Sequence, residues 1–148
     1  MTSKTIDTKI LDLRVIEADE DKAKQLRCEN GSKLYFCKRL RVVDGEPFSI
    51  ELSYFNKDIV PYLNEYIAKT SIYSYLIDDL KLPISFADKI VTCEKINEDM
   101  AKLLNVIPGD PALIIENTVC LANGTVFELS QSIFHFQKAK ILNRINFK

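Results

Sequence analysis

Apolar and polar residues alternate from Ile10 to Ile16, which predicts a strand with Leu11, Leu13 and Val15 on one face. Asp19 then has the character of a helix N-cap. Glu20 and Asp21 suit the first turn, Ala23 and Leu26 face inward, and Asn30-Gly31 closes the helix. Strand pattern follows from Lys33 to Val43 and from Phe48 to Phe55, joined at Asp44-Gly45, a strong hairpin signal between alternating apolar runs. Residues 57–80 predict two short helices, the first suited by Asp58 and Pro61, the second running from Ile72 to Leu80 under a Ser71 cap. Strand pattern returns from Ile84 to Cys93. Asn97, Glu98 and Asp99 open a further helix that stops before Pro108-Gly109. A second hairpin, Ala112–Leu121 and Val126–Phe136, turns at Asn123-Gly124; the last dozen residues are basic and poorly patterned.

The two halves resemble each other. E-D-K-A-K-Q-L at 20–26 matches E-D-M-A-K-L-L at 98–104, and Gly31 matches Gly109 at the same offset. Asp44-Gly45 matches Asn123-Gly124, and Glu51-Leu52-Ser53 matches Glu128-Leu129-Ser130. Each half is therefore strand, helix, strand, turn, strand. A βαββ unit is half a domain whose hairpin needs a partner sheet. The expected product is an α+β fold: one six-stranded, mainly antiparallel sheet with flanking helices, an internal βαββ duplication and a cleft on each side of the duplicated core.

Composition narrows the function. The chain has 148 residues, the size of one domain, and 47% are hydrophobic, enough for an ordinary core. Its 20 basic and 21 acidic residues nearly cancel, which argues against nucleic-acid binding by this piece alone, because phosphate contacts need a net basic face. Cys28, Cys37, Cys93 and Cys120 stand far apart in apolar stretches and read as reduced core thiols. With His135 the only histidine, no metal site is expected. No apolar run reaches the length of a membrane span. His135, between Phe134 and Phe136, reads as packing, and no nucleophile–base pair suggests catalysis.

Comparing the halves isolates one difference. Arg39 corresponds to Asn117 and Arg41 to Val119. Residues two apart on a strand share a face, so the two arginines project together with Tyr35 and Cys37, opposite Leu34, Phe36, Leu40 and Val42. Adjacent guanidiniums repel unless a negative group lies beside them. Glu51 across the hairpin can supply it, making a salt-bridged strand face; an anionic ligand can supply it as well. Glu51 and Glu128 read either as hairpin charges or as ligand groups, and Ser71 either as a helix cap or as an anion contact.

The ordered pieces A-x-x-L at 23–26, K-R-L-R at 38–41, D-G-E-P at 44–47, I-E-L-S-Y-F at 50–55, S-I-Y at 71–73, A-x-L-L at 101–104 and G-x-x-x-E-L-S at 124–130 resemble the UTRA domain. That domain is the effector-binding half of HutC-type GntR transcription regulators, and the resemblance covers residues 9–145. It implies the chorismate-lyase-like fold, in agreement with the repeat. It implies a small anionic effector, a sugar phosphate above all, clamped by Arg39 and Arg41, with Ser71 and nearby Tyr73 helping to hold the anion. Glu51 and Glu128 resemble carboxylates that accept hydrogen bonds from ligand hydroxyls or an amine. Phe134 stands where the family often has an aromatic hydroxyl, and Lys138 keeps the charge of a basic position after it. The resemblance further implies no cofactor, a cytoplasmic homodimer, and DNA contact only through an N-terminal winged helix-turn-helix domain absent from this chain. The rival functions are a chorismate-lyase-like enzyme acting on a small anion and a pure dimerisation module.

Overall fold

Six strands form one sheet in the order β1-β2-β3-β6-β5-β4, and every neighbouring pair is antiparallel. The structure is a computed structural model describing residues 4–147; Met1–Ser3 and Lys148, the ends of the expected domain, lie outside the described residues. In chain order the elements are β1 (Ile6–Glu17), α1 (Glu20–Leu26), β2 (Lys33–Val43), β3 (Glu46–Asn56), α2 (Glu65–Thr70), α3 (Ile72–Ser74, continued by a π-helical turn over Tyr75–Asp79), β4 (Ile84–Lys95), α4 (Glu98–Leu104), β5 (Pro111–Leu121) and β6 (Val126–His135). The predicted α+β duplication is therefore present: βαββ, a helical connection, then βαββ.

The helices divide between the two faces of the sheet. On one face, α1 buries Ala23 and Leu26 against Leu34, Val126 and Leu129. On the same face, α4 buries Ala101 and Leu104 against Leu40, Ile50, Ile114 and Ile133. Each helix thus packs across the midline onto the other half's sheet, and burying these apolar faces is what joins the halves into one domain. The opposite face carries Tyr35, Cys37, Phe55, Val119 and Phe127, covered at one end by Val60, Leu63, Ala68, Ile72 and Leu76 of the α2–α3 connection. Both faces of the central strands are therefore packed.

Local chemistry explains where elements start and stop, and corrects four expectations. Asp19 and Asn97 cap α1 and α4 by accepting from Lys22 N (2.8 Å) and Met100 N (2.9 Å). Helix α1 ends at Leu26, before Asn30-Gly31, because Arg27 adopts the left-handed conformation (φ 53°), as Asn105 does after α4 (φ 59°). The first connecting helix starts at Asn64, whose side chain caps Ile67 N at 2.9 Å, and not near Asp58 and Pro61. In β1 the pairing slips between Ile10 and Asp12, so Leu11 drops out of the alternation; Ile10 joins Leu13 against the core instead. The cysteines are free, but only Cys37 and Cys120 are buried, whereas Cys93 on edge strand β4 is exposed. Burial pushes the Cys37 thiol up to about 11.

Candidate functional site

The face shared by α2 and α3 is covered at one end only, and where the cover stops the sheet floors a cleft of about 490 Å³. That is an ordinary small-molecule volume. Arg39 and Arg41 reach it from β2, Glu51 and Ser53 from β3, Glu128, Ser130 and Ser132 from β6, and Asn117 from β5. A second cleft of about 500 Å³ lies on the other face beside α1, so the duplication does give one on each side. Its charged lining is Asp21, Asp88, Glu116 and Lys22, a net acidic set, while the first cleft gathers the arginines.

Arg39 is buried, and its guanidinium is held from two sides. Nη2 donates to Glu51 Oε2 at 2.6 Å, and Nη1 donates to the backbone carbonyl of Ala68 in α2 at 3.2 Å. Its Nε is buried with no acceptor among the described residues, an unmet donor in a low-dielectric setting. Arg41 is more open, with 31% of its side chain exposed; its Nε lies 3.4 Å from the same Glu51 oxygen and its Nη1 donates to Thr8 Oγ1 at 3.1 Å. Glu51 is therefore the negative group that lets two guanidiniums stand side by side.

Glu128 sits in the opposite electrostatic condition. It is buried, forms no salt bridge among the described residues, and accepts a hydrogen bond from the Tyr73 hydroxyl. Burial raises its carboxyl to about 7, opposed by the Tyr73 hydrogen bond and by the charge of Arg39. The Tyr73 hydroxyl is itself pushed far up, first by burial and then by Glu128. A carboxyl of this kind accepts or donates according to what sits beside it near neutral pH.

Of the eight residues singled out in the sequence, five meet in this cleft: Arg39, Arg41, Glu51, Tyr73 and Glu128. Ser71 is exposed and outside its lining, with Oγ accepting from Ser74 N at 3.2 Å; the three-residue α3 below it has little dipole to offer. Phe134 lies one strand row away, edge-on to Phe48, in a shallower apolar recess next to Arg41. Lys138 pairs with Glu46 at 2.6 Å and donates to the Pro47 carbonyl, outside the cleft. Sequence reasoning missed Ser53, Ser130 and Ser132, although each is two or four residues from a chosen glutamate on the same strand face. It also missed Lys89, which bonds Asn117 Oδ1 at 2.9 Å; only the pairing of β4 with β5 reveals that contact.

Residues 2–140 match the model of the UTRA domain. The chain is 30% identical over 141 residues to the uncharacterized HTH-type transcriptional regulator YydK of Bacillus subtilis, covering 95% of this chain and 60% of YydK. It is 29% identical to the HTH-type transcriptional repressor NagR of the same organism, covering 86% of this chain and 52% of NagR. The chain thus spans little more than half the length of these relatives. The crystal structure of YydK superposes with a TM-score of 0.91, covering 95% of this chain and 62% of that one. The effector-binding domain of the Bacillus subtilis trehalose repressor TreR superposes with a TM-score of 0.87 at 26% identity, covering 96% and 99% of the two chains. The names these relatives carry are those of transcription regulators and not of enzymes.

Proposed function

This chain belongs to the UTRA domain family, and from that membership we propose that it is the effector-sensing domain of a transcription regulator, taking a small anionic metabolite of the sugar phosphate class into the cleft at Arg39 and Arg41. The observation that carries the reading is the arginine pair itself: two guanidiniums from one strand face in a cleft of ligand size, one of them 31% exposed. Arg41 is the open jaw for a phosphate or carboxylate and Arg39 the buried one behind it. Ser53, Ser130 and Ser132 offer hydroxyls, and Glu51 and Glu128 offer acceptors, to the hydroxyl groups of a sugar frame. A relative of the same fold named for a sugar, the trehalose repressor, supports the carbohydrate class.

Transmission follows from the groups that tie α2 and α3 to the sheet. Arg39 donates to the Ala68 carbonyl of α2, and Tyr73 of α3 donates to Glu128. A ligand that recruits Arg39 or Glu128 changes how this helical segment is seated. In the full regulator, a cytoplasmic homodimer, that change alters the relative placement of two N-terminal winged helix-turn-helix domains, which make the DNA contact. The coupling requires unequal ligand affinity for the two arrangements.

Thermal unfolding against a panel of sugar phosphates, free sugars and small carboxylates tests the reading. A ligand at about 100 times its dissociation constant adds about 2.7 kcal/mol, several degrees for a chain of this size. A rise with a phosphorylated sugar that disappears in Arg41→Ala is the expected result. A response to uncharged sugars alone, unchanged in Arg41→Ala, rejects the anionic effector.

A further inference from the structure

The arginine clamp already holds a negative charge. A single oxygen of Glu51 lies 2.6 Å from Arg39 Nη2 and 3.4 Å from Arg41 Nε, the position an anionic ligand oxygen needs if it is to engage both guanidiniums. Glu128 stands in the same cleft, buried and without an ion pair among the described residues. An anion that takes this shared point between the two guanidiniums displaces Glu51 and then lies near two carboxylates. The paired position in the other hairpin has no such feature, because Asn117 meets the hydroxyl of Ser130 there.

Resting on the reading of this cleft as an anion site, we propose that Glu51 is a specificity-determining residue: it holds the place of the ligand's anion, excludes anions without hydrogen-bond donors, and yields to an anion whose own frame brings hydroxyl groups to the displaced carboxylate. The physical reason is satisfaction of charge. Once its guanidinium partners are taken, the Glu51 carboxylate needs new donors or it remains a poorly solvated charge beside another anion. Sulfate carries no proton near neutral pH and offers none. A polyol phosphate offers several hydroxyls, to Glu51 and to Glu128 alike. The clamp therefore discriminates by what it leaves unpaired as much as by what it attracts.

Sulfate titrated into the chain by calorimetry at a pH of about 8, where an ordinary carboxyl is fully ionised, tests the proposal. Glu51→Gln keeps the shape and removes the charge; its affinity for sulfate should rise at least roughly tenfold over the wild type. The gain should vanish in Glu51→Gln/Arg41→Ala. Glu51→Ser, which copies the other hairpin, should give the same direction of change, and thermal unfolding of each variant verifies that it is folded. Equal sulfate affinity in wild type, Glu51→Gln and Glu51→Ser overturns the proposal. So does a gain that persists without Arg41. The two readings fail separately: if no sugar phosphate shifts the wild type while Glu51→Gln gains sulfate through Arg41, the effector class is wrong and the role of Glu51 stands. If sulfate binds to none of these proteins, the role of Glu51 is rejected, while the effector class stands or falls on the sugar phosphate panel alone.

Discussion

The β2–β3 and β5–β6 hairpins are two versions of one structure, and their difference places the chemistry. Both carry a bulge near the turn, between Arg41 and Val42 in one and between Val119 and Cys120 in the other. In the first, Arg39 lies opposite Glu51; in the second, its counterpart Asn117 lies opposite Ser130, at a hydrogen bond of 3.3 Å. The shared E-L-S run misleads here. Glu128 pairs with Val119, so the two glutamates do not occupy equivalent pairing positions. The turns account for the slide: β2 and β3 are joined by Asp44-Gly45 alone, both at positive φ, whereas four residues separate β5 from β6. One hairpin thus carries two guanidiniums sharing one carboxylate, and the other a neutral pair next to a lone buried carboxyl. Duplication supplied the scaffold twice, and the arginine pair was placed on it once.

The largest expected effect comes from that lone carboxyl. The folded-state value of Glu128, about 7, lies above its ordinary 4.5, so the folded chain holds this proton more tightly than the unfolded chain does. Its stabilising contribution is complete below a pH of about 4.5 and is lost as pH rises through about 7, a swing of about 3 kcal/mol. Urea unfolding of wild type and Glu128→Gln at several pH values should show the difference between them change by that amount across the window. A pH-independent difference would make Glu128 an ordinary carboxylate and remove the contrast with Glu51.

Next in size is the contrast between paired positions. Arg39→Ala leaves a half-buried Glu51 with Arg41 as its one charged partner and frees the Ala68 carbonyl, and should cost about 2 kcal/mol, less than a fully buried pair because the cleft is open to water. Asn117→Ala removes one long neutral hydrogen bond and should cost about 0.5 kcal/mol. Equal losses in thermal unfolding would mean the two hairpins are energetically alike.

Converting one hairpin into the other sharpens the comparison. In Arg39→Asn/Glu51→Ser both charges go together, so stability should stay within about 1 kcal/mol of wild type. The stabilisation by an anionic ligand should be lost. A ligand response retained by this double variant would detach the cleft's function from its ion cluster.

The smallest effect concerns the helix ends, where the halves agree in conformation and differ in residue. Arg27→Gly should stabilise by about 0.5 kcal/mol, because a side chain with a full Cβ is held at φ 53°. Asn105→Gly should change little, since asparagine tolerates the left-handed region. Chemical denaturation resolves the difference, and a larger gain at Asn105 would contradict it.

Much of this protein was legible in its sequence because the signals are local. Alternation marked all six strands, Asp19 and Asn97 announced their helices, and a near-constant offset revealed the duplication. That Arg39 and Arg41 share a face follows from the two-residue period of a strand and needs no tertiary information. The misplaced features were those in which a single residue disturbs a pattern, such as Leu11 in its bulge and Arg27 ending α1 early. What the tertiary structure alone decided is which charges meet. Tyr73 reaches Glu128 across 55 positions, and Arg39 finds the Ala68 carbonyl across 29, because the helical connection folds back over strands that the sheet order brings side by side. Periodicity assigns a residue to a face; sheet order and helix packing decide which residues from other strands share that face with it.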